Sequence, residues 1–476
     1  MRKSALYSPK CPQTRRAFLR HAGTLACALS VPWLIPASAG PPRRPNFVFF
    51  LTDDQPFNGM SCTGNAVLRT PNMDRLAAEG VLFEKAFVTT AICCCSRASI
   101  YTGQHMRRHG IEDFAKPLSA AQWRQTFPAL LRQSGYRTAF LGKYAIGAAT
   151  KADKDLSLPA DKFDLWYGFP QNIAFKQVVD GKERYLTTVM AEKAVRFLKE
   201  TGKDQPFCLI MALKEPHGPL DYFDPEFQDP YAGAAIPPPA NLTRQSFAAL
   251  PELVRNGLNR NPQWLDNPAS YQAYMRKIHA YISRSDLAVG QICSALKDQG
   301  LDQNTVVIHL SDNGSMEGAH GLAGKWIMYE ESIHVPLIIR DPRLPASTHG
   351  RRTQMALNID LAPTILAMAG VPVPPGVQGM DLQPLLRNPQ AQGREDWYYE
   401  HVYTTRPPQK PIPKSEGVRT ERWKYIRYTE PKPPLEQLFD LAADLQEERN
   451  LANDAAHAET LAKLRARCDE YRNTLR

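Results

Sequence analysis

From residue 45 onward, short unbroken apolar runs alternate with longer stretches whose apolar residues recur at helical spacing. The alternation predicts a doubly wound α/β sheet flanked by helices, rather than a sandwich. Residues 46–52 form the first strand-length run and end in Asp53-Asp54. Thr70-Pro71-Asn72-Met73-Asp74 then offers a cap residue, a proline in the first turn and an early acid, and Gly80 closes the predicted helix. Further strands are predicted over 136–141, 206–213, 305–310 and 335–340. All of these but the last run straight into polar residues able to do chemistry. Ligands of open α/β sheets bind beyond the carboxyl ends of the strands, so polar clusters at the ends of separate strands predict one shared site.

Residues 218–267 are rich in proline and polar side chains, and predict a long excursion that shapes the substrate entrance. A composition shift at Pro372-Val373-Pro374-Pro375-Gly376 divides a catalytic domain, residues 40–375, from a smaller C-terminal α+β subdomain, residues 376–476. In the latter, 417–428 reads as a strand pair and 455–475 as a terminal helix.

A chain of 476 residues, 43% of them hydrophobic, is long enough to bury a large core. Its formal charge of +10 suggests an acidic partner until it is divided along the chain. Arg2, Lys3, Lys10, Arg15, Arg16 and Arg20 precede residue 41, where no acid occurs, and without these six the excess is +4. That is an ordinary solvated surface, so nucleic acid is not implied.

Residues 1–39 read as an export leader. Thr14-Arg15-Arg16-Ala17-Phe18-Leu19 resembles a twin-arginine signal, an apolar stretch over 22–37 follows, and Ala37-Ser38-Ala39 supplies a cleavage site. The stretch contains Pro32 and Pro36 and falls short of the roughly 18 to 20 apolar residues of a membrane span. The expected location is periplasmic or extracellular in a bacterium, with no stable membrane span. Removing Cys11 and Cys27 with the leader leaves seven of nine cysteines. An odd number, three of them the consecutive Cys93, Cys94 and Cys95, is no disulfide framework, and no pair of CxxC knuckles indicates zinc.

The segment Cys93-Cys94-Cys95-Ser96-Arg97-Ala98-Ser99-Ile100-Tyr101-Thr102-Gly103 resembles the signature of the formylglycine-dependent sulfatases: cysteine, any residue, proline or alanine, serine, arginine, and later threonine-glycine. Cys95 stands where proline or alanine is usual. The likeness continues through Asn358-Ile359-Asp360-Leu361-Ala362-Pro363-Thr364 to Leu438-Phe439-Asp440-Leu441. The run Gly324-Lys325-Trp326-Ile327-Met328-Tyr329-Glu330-Glu331-Ser332 looks most like the N-acetylglucosamine-6-sulfatase branch. The resemblance implies an alkaline phosphatase-like doubly wound mixed sheet and hydrolysis of a sulfate monoester, with a sulfated carbohydrate as substrate.

It also assigns roles. Cys93, oxidised by a formylglycine-generating enzyme, becomes the nucleophile, with Arg97 beside it. Asp53, Asp54, Asp312 and Asn313, together with residue 93, match the family's metal positions. Carboxylate and amide oxygens without zinc-type ligands suit calcium or magnesium. Lys143, His217 and Lys325 fall where the family places sulfate contacts, and His217 or Lys325 is placed to protonate the leaving alcohol. The chemistry needs such a set: a sulfate monoester is a poor electrophile, so a strong oxygen nucleophile must be fixed in place and cations must face the sulfuryl oxygens. The family histidine two residues after the first lysine is absent, because this chain reads Lys143-Tyr144-Ala145. His109 is the expected substitute, and His320, in Glu317-Gly318-Ala319-His320, is a weaker substrate-binding candidate.

Two other readings are carried forward. One is a phosphoester or phosphonate hydrolase of the same superfamily, since phosphate and sulfate share tetrahedral geometry. The other is a sulfoglycan-binding relative without catalysis, for which Ala145 and Cys95 are the evidence.

Overall fold

A computed structural model describes residues 43–147, 158–171, 173–222, 227–403 and 411–475, and the predicted leader lies outside them. Strands in chain order are β1 (Asn46–Asp53), β2 (Val81–Phe87), β3 (Arg137–Lys143), β4 (Leu165–Phe169), the small hairpin β5 (Lys176–Val179) and β6 (Lys182–Tyr185), β7 (Phe207–Pro216), β8 (Thr305–Ser311), β9 (Leu337–Arg340) and β10 (Gly350–Leu357). Apart from the hairpin they form one eight-stranded sheet in the order β10-β2-β9-β8-β1-β7-β3-β4. Within it β9 runs antiparallel to both neighbours, β2 and β8, which makes the sheet mixed.

Every residue of β1, β7 and β8 is buried, the pattern of strands covered on both faces. Alternate residues of β1 serve opposite layers. Phe47, Phe49 and Leu51 pack with Ile100, Leu131 and Ile365, and Val48 and Phe50 pack with Leu186, Met190, Val289 and Ile292. The second layer is carried by the helices Leu186–Glu200 and Pro268–Asp298. The first includes α2 (Cys93–Thr102) and the helix Leu361–Met368; α1 (Pro71–Ala78) is the helix predicted after the first strand.

Where β3 crowds β7, a side chain has no room. A Cβ at Gly142 would lie 1.8 Å from the Ala212 carbonyl oxygen, and φ there is +110°. Gly142→Ala is therefore expected to cost about 2 kcal/mol or more of stability, read as a lower denaturant midpoint with an unchanged slope.

The C-terminal region is a four-stranded antiparallel sheet of β11 (Asp396–His401), β12 (Ser415–Thr420), β13 (Trp423–Tyr428) and β14 (Leu435–Asp440). One face, with Tyr398, Val418, Tyr425 and Leu438, takes Leu461, Leu464 and Cys468 of the terminal helix Ala458–Thr474. The alternate residues Trp397, Tyr399, Ile426 and Tyr428 join the main core. Lys424 crosses this seam, buried, to reach Glu330 and Glu447 at 2.6 and 2.7 Å. The excursion over 218–267 contains the short helices Arg244–Ala249, Glu252–Arg255 and Gln263–Asp266. The seven described cysteines are all free, and no described helix is long and apolar enough to cross a membrane.

Candidate active site

Four neighbouring strands, β8, β1, β7 and β3, are parallel, so their carboxyl ends open on one edge of the sheet. Asp53 ends β1 and Asp54 follows it; Asp312 and Asn313 follow β8; Lys143 ends β3; His217 follows β7. The register pairs Thr52 with Ser311 and, after a slip past Leu51, Asp53 with Pro216. Asp54 leaves the strand with φ +69°, a left-handed backbone that is costly outside glycine and turns its carboxylate along a different direction from that of Asp53. Cys93 is the first residue of α2, beyond the end of β2, and Arg97 lies one turn further on. Lys325 arrives on the loop between β8 and β9.

These side chains converge. The Cys93 thiol donates to Asp53 Oδ1 at 3.2 Å, and the ammonium groups of Lys143 and Lys325 reach its sulfur at 3.3 and 2.8 Å. Lys143 also pairs with the Asp53 carboxylate and Lys325 with that of Asp54. Asn313 Nδ2 donates to Asp54 Oδ1 at 2.6 Å, and the Asp54 backbone N–H donates to Asp312 Oδ1 at 3.3 Å. Arg97, wholly buried, donates from Nε to Asp312 at 2.8 Å and from Nη1 to the Lys143 carbonyl at 2.5 Å. His217 Nδ1 donates to the Gly218 carbonyl at 2.6 Å, which leaves Nε2, 3.7 Å from Asp54 Oδ2, as the reactive nitrogen.

Burial alone would raise the Asp53 carboxyl, but Lys143, His217, Lys325 and Arg97 outweigh it and hold the group well below the ordinary range. Burial would likewise lower both lysines. The charge of Asp53 on Lys143, and of Asp54 on Lys325, lifts them instead, so both remain ammonium. Burial, reinforced by Asp53, pushes Asp312 up to about 6 against the pull of Arg97. Burial and the Asp53 charge push the Cys93 thiol up, and burial pushes His217 down.

Cys93, Lys143, His217 and Lys325 line a cavity of about 190 Å³ together with Phe114, Gln171, Leu258, Trp326 and Tyr403. Those five come from scattered loops, and only Trp326 adjoins a motif residue, which is why periodicity and spacing do not single them out. Leu258 belongs to the proline-rich excursion. A larger hollow of about 600 Å³, walled by Trp123, Arg132, Tyr144 and Asp161, contains none of the converging side chains.

Two predicted residues do not join the site. His109 is buried beside α2, with Nε2 on Ser99 Oγ at 3.0 Å and Nδ1 accepting from the Ile111 N–H at 3.0 Å, so both ring nitrogens are engaged away from Cys93. It cannot substitute for the histidine missing at Ala145. His320 is buried against the Tyr329 ring at 4.9 Å, in a turn after Gly318, and does not line the cavity.

Residues 45–371 match the family model described as sulfatase, and residues 318–474 match the model of the C-terminal region of N-sulphoglucosamine sulphohydrolase. This chain belongs to the sulfatase family. The reaction class of the enzyme is accordingly hydrolysis of sulfuric esters. An N-acetylglucosamine-6-O-sulfatase of Bacteroides thetaiotaomicron is 29% identical to this sulfatase, over 89% of this chain and 85% of that protein. A solved structure of a protein in complex with its substrate D-glucosamine-2-N,6-O-disulfate superposes with a TM-score of 0.75 at 28% identity, covering 91% of this chain and 98% of the other. A phosphonate monoester hydrolase of Agrobacterium radiobacter superposes with the same TM-score at 23% identity, covering 91% and 96%. The sulfatase thus has the alkaline phosphatase-like fold expected from its sequence, and that fold is shared with enzymes of other esters.

Proposed function

We propose that this sulfatase hydrolyses a sulfate monoester on a carbohydrate, using formylglycine made from Cys93 and one calcium or magnesium ion. The observation that carries the reading is the convergence of two lysines, a histidine and paired acids on the Cys93 side chain, inside a cavity of about 190 Å³. A sugar substrate is supported by the relatives, one described as an N-acetylglucosamine-6-O-sulfatase and one solved with a glucosamine disulfate.

The donor set suits a hard cation. Ligand atoms of Asp53, Asp54, Cys93 and His217 lie within 4.8 Å of one another, and Asn313 Oδ1 is buried without a hydrogen-bond partner. Asp53, Asp54, Asp312, Asn313 and the oxygen of residue 93 would hold the ion. When bound it supplies the positive charge that lowers the pKa of a coordinated hydroxyl and polarises the sulfuryl oxygens. A hydrated aldehyde at position 93 supplies one hydroxyl for attack on sulfur and a second whose deprotonation allows sulfate to leave.

The remaining work belongs to side chains already in place. Lys143 and Lys325 present ammonium charge around the position of Cys93 Sγ, where negative charge on the sulfuryl oxygens concentrates. Arg97 holds Asp312 and the Lys143 backbone in fixed relation. His217 Nε2 and Lys325 Nζ are the proton donors nearest the leaving oxygen. With Ala145 inert and His109 turned away, His217 is also the described imidazole left to accept a proton as sulfate departs. The leader supports export by the twin-arginine route to the periplasm or beyond.

Protein carrying the aldehyde, verified by mass spectrometry of the peptide containing residue 93, is expected to turn over an aryl sulfate faster than the matching aryl phosphate or phosphonate. The reverse order would replace the sulfatase reading with a phosphoester one, and no turnover of either would favour a binding protein. Stripping the ion with a chelator is expected to lower kcat on the order of a hundredfold or more. Calcium or magnesium should restore the rate, and recovery with zinc alone would contradict the oxygen-ligand site.

A further inference from the structure

Tyr399 lies in β11, on the face of the C-terminal sheet that joins the main core, and is fully buried. Its hydroxyl donates to the Trp326 carbonyl at 2.6 Å, and the backbone N–H of Ala91 approaches the same oxygen. One hydroxyl therefore meets two segments far apart in the chain: the residue after Lys325 and the turn that leads into Cys93. A parallel link lies beside it, where the Glu400 N–H donates to the Thr89 carbonyl at 3.2 Å.

The Lys325 turn depends on such support. Gly324 and Trp326, on either side of it, both have left-handed backbones, with φ of +73° and +84°. A bulky residue adopts that conformation only where its surroundings impose it. Asn259 Nδ2 donates to the Lys325 carbonyl at 2.6 Å and to that of Ala323 at 2.9 Å. Asn259 thus secures one side of the turn and Tyr399 the other. The ammonium group of Lys325, 2.8 Å from Cys93 Sγ, moves with whatever the turn does.

We propose that Tyr399 is a positioning residue of the reaction, its hydroxyl keeping the Lys325 turn and the approach to Cys93 in fixed relation, so that the C-terminal sheet sets active-site geometry without touching substrate. The proposal rests on the sulfatase mechanism given above. In the full-length protein carrying the aldehyde, Tyr399→Phe is expected to lower kcat for an aryl sulfate by about tenfold to a hundredfold, with KM changed by less than about threefold. Amide hydrogen exchange should accelerate together at residues 89–93 and 323–327. Tyr428→Phe removes a hydroxyl from the same sheet face, one bound to Gln437 at 3.0 Å, and is expected to alter neither readout. A Tyr399→Phe protein with kcat within about twofold of the parent, with unchanged exchange in either segment, or with exchange raised evenly across β11 to β14, overturns the proposal. Exchange is read whether or not any ester is turned over, so an inactive parent protein would count against the sulfatase mechanism while the exchange pattern still decides the role of Tyr399.

Discussion

Cys93→Ala is expected to lower kcat/KM for an aryl sulfate by on the order of 10⁴-fold or more, while thermal unfolding shifts by only a few degrees. The asymmetry follows from what the side chain touches. The thiol is 1% exposed, but its polar contacts are all with site residues, Asp53, Lys143 and Lys325. Those three also pair with one another or with Asp54, so the ionic cluster keeps its partners when the sulfur is gone. Loss of a nucleophile removes the reaction path itself, whereas the lost contact is one weak S–H donor. Cys94 and Cys95 are the internal controls. Their sulfurs lie 3.7 Å from each other inside the apolar core, so replacing either with alanine should cost stability and leave most of the activity. Retention of more than about a tenth of the parent rate by Cys93→Ala would remove residue 93 from the mechanism.

Arg97→Ala is expected to destabilise the protein by about 3–5 kcal/mol and to abolish turnover with it. Arg97 has no exposed surface, and neither Asp312 nor Asp53 has any to spare. Removing the guanidinium strands the Asp312 carboxylate, deprives Asp53 of a cation 3.9 Å away, and leaves the Lys143 carbonyl without its donor. Arg97→Lys keeps the charge, yet a single ammonium cannot reproduce the fork that serves Asp312 and the Lys143 carbonyl at once, so an intermediate loss is expected. Chemical denaturation read by circular dichroism measures both variants. If Arg97→Ala unfolds at the parent midpoint, the buried ion pairs do not hold the strand ends together.

The central strands were legible because burial on both faces demands unbroken apolar runs. That is what residues 46–52, 206–213 and 305–310 provide, and the polar residues closing β1, β3, β7 and β8 were rightly read as facing one place. The strands that went unread lie toward the margins of the sheet. β10 alternates buried and exposed positions through Arg351 and Gln354, β4 is only half-buried, and β2 carries Glu84 and Lys85 in its middle. Without a partner in view, such segments do not separate from loops. The histidines show a different limit. His109 and His320 satisfy every compositional test for a functional imidazole, but ring direction is set by packing against Ser99 and Tyr329, which no spacing rule encodes. Lys325 was found through a motif, whereas its supports Asn259 and Tyr399 sit 66 and 73 residues away along the chain and carry no local signal.

The depth at which Cys93 sits bears on how the enzyme comes into being. Once α2 has seated and β11 has closed over Thr89, a second protein has no path to that sulfur. Oxidation of the thiol must then belong to biosynthesis, acting on a nascent polypeptide still pliant enough to be threaded through another enzyme's cleft. A molecule that finishes folding unmodified is committed to that state for its lifetime unless it unfolds. The specific activity of a preparation would in that case record how folding competed with maturation in the cell that made it.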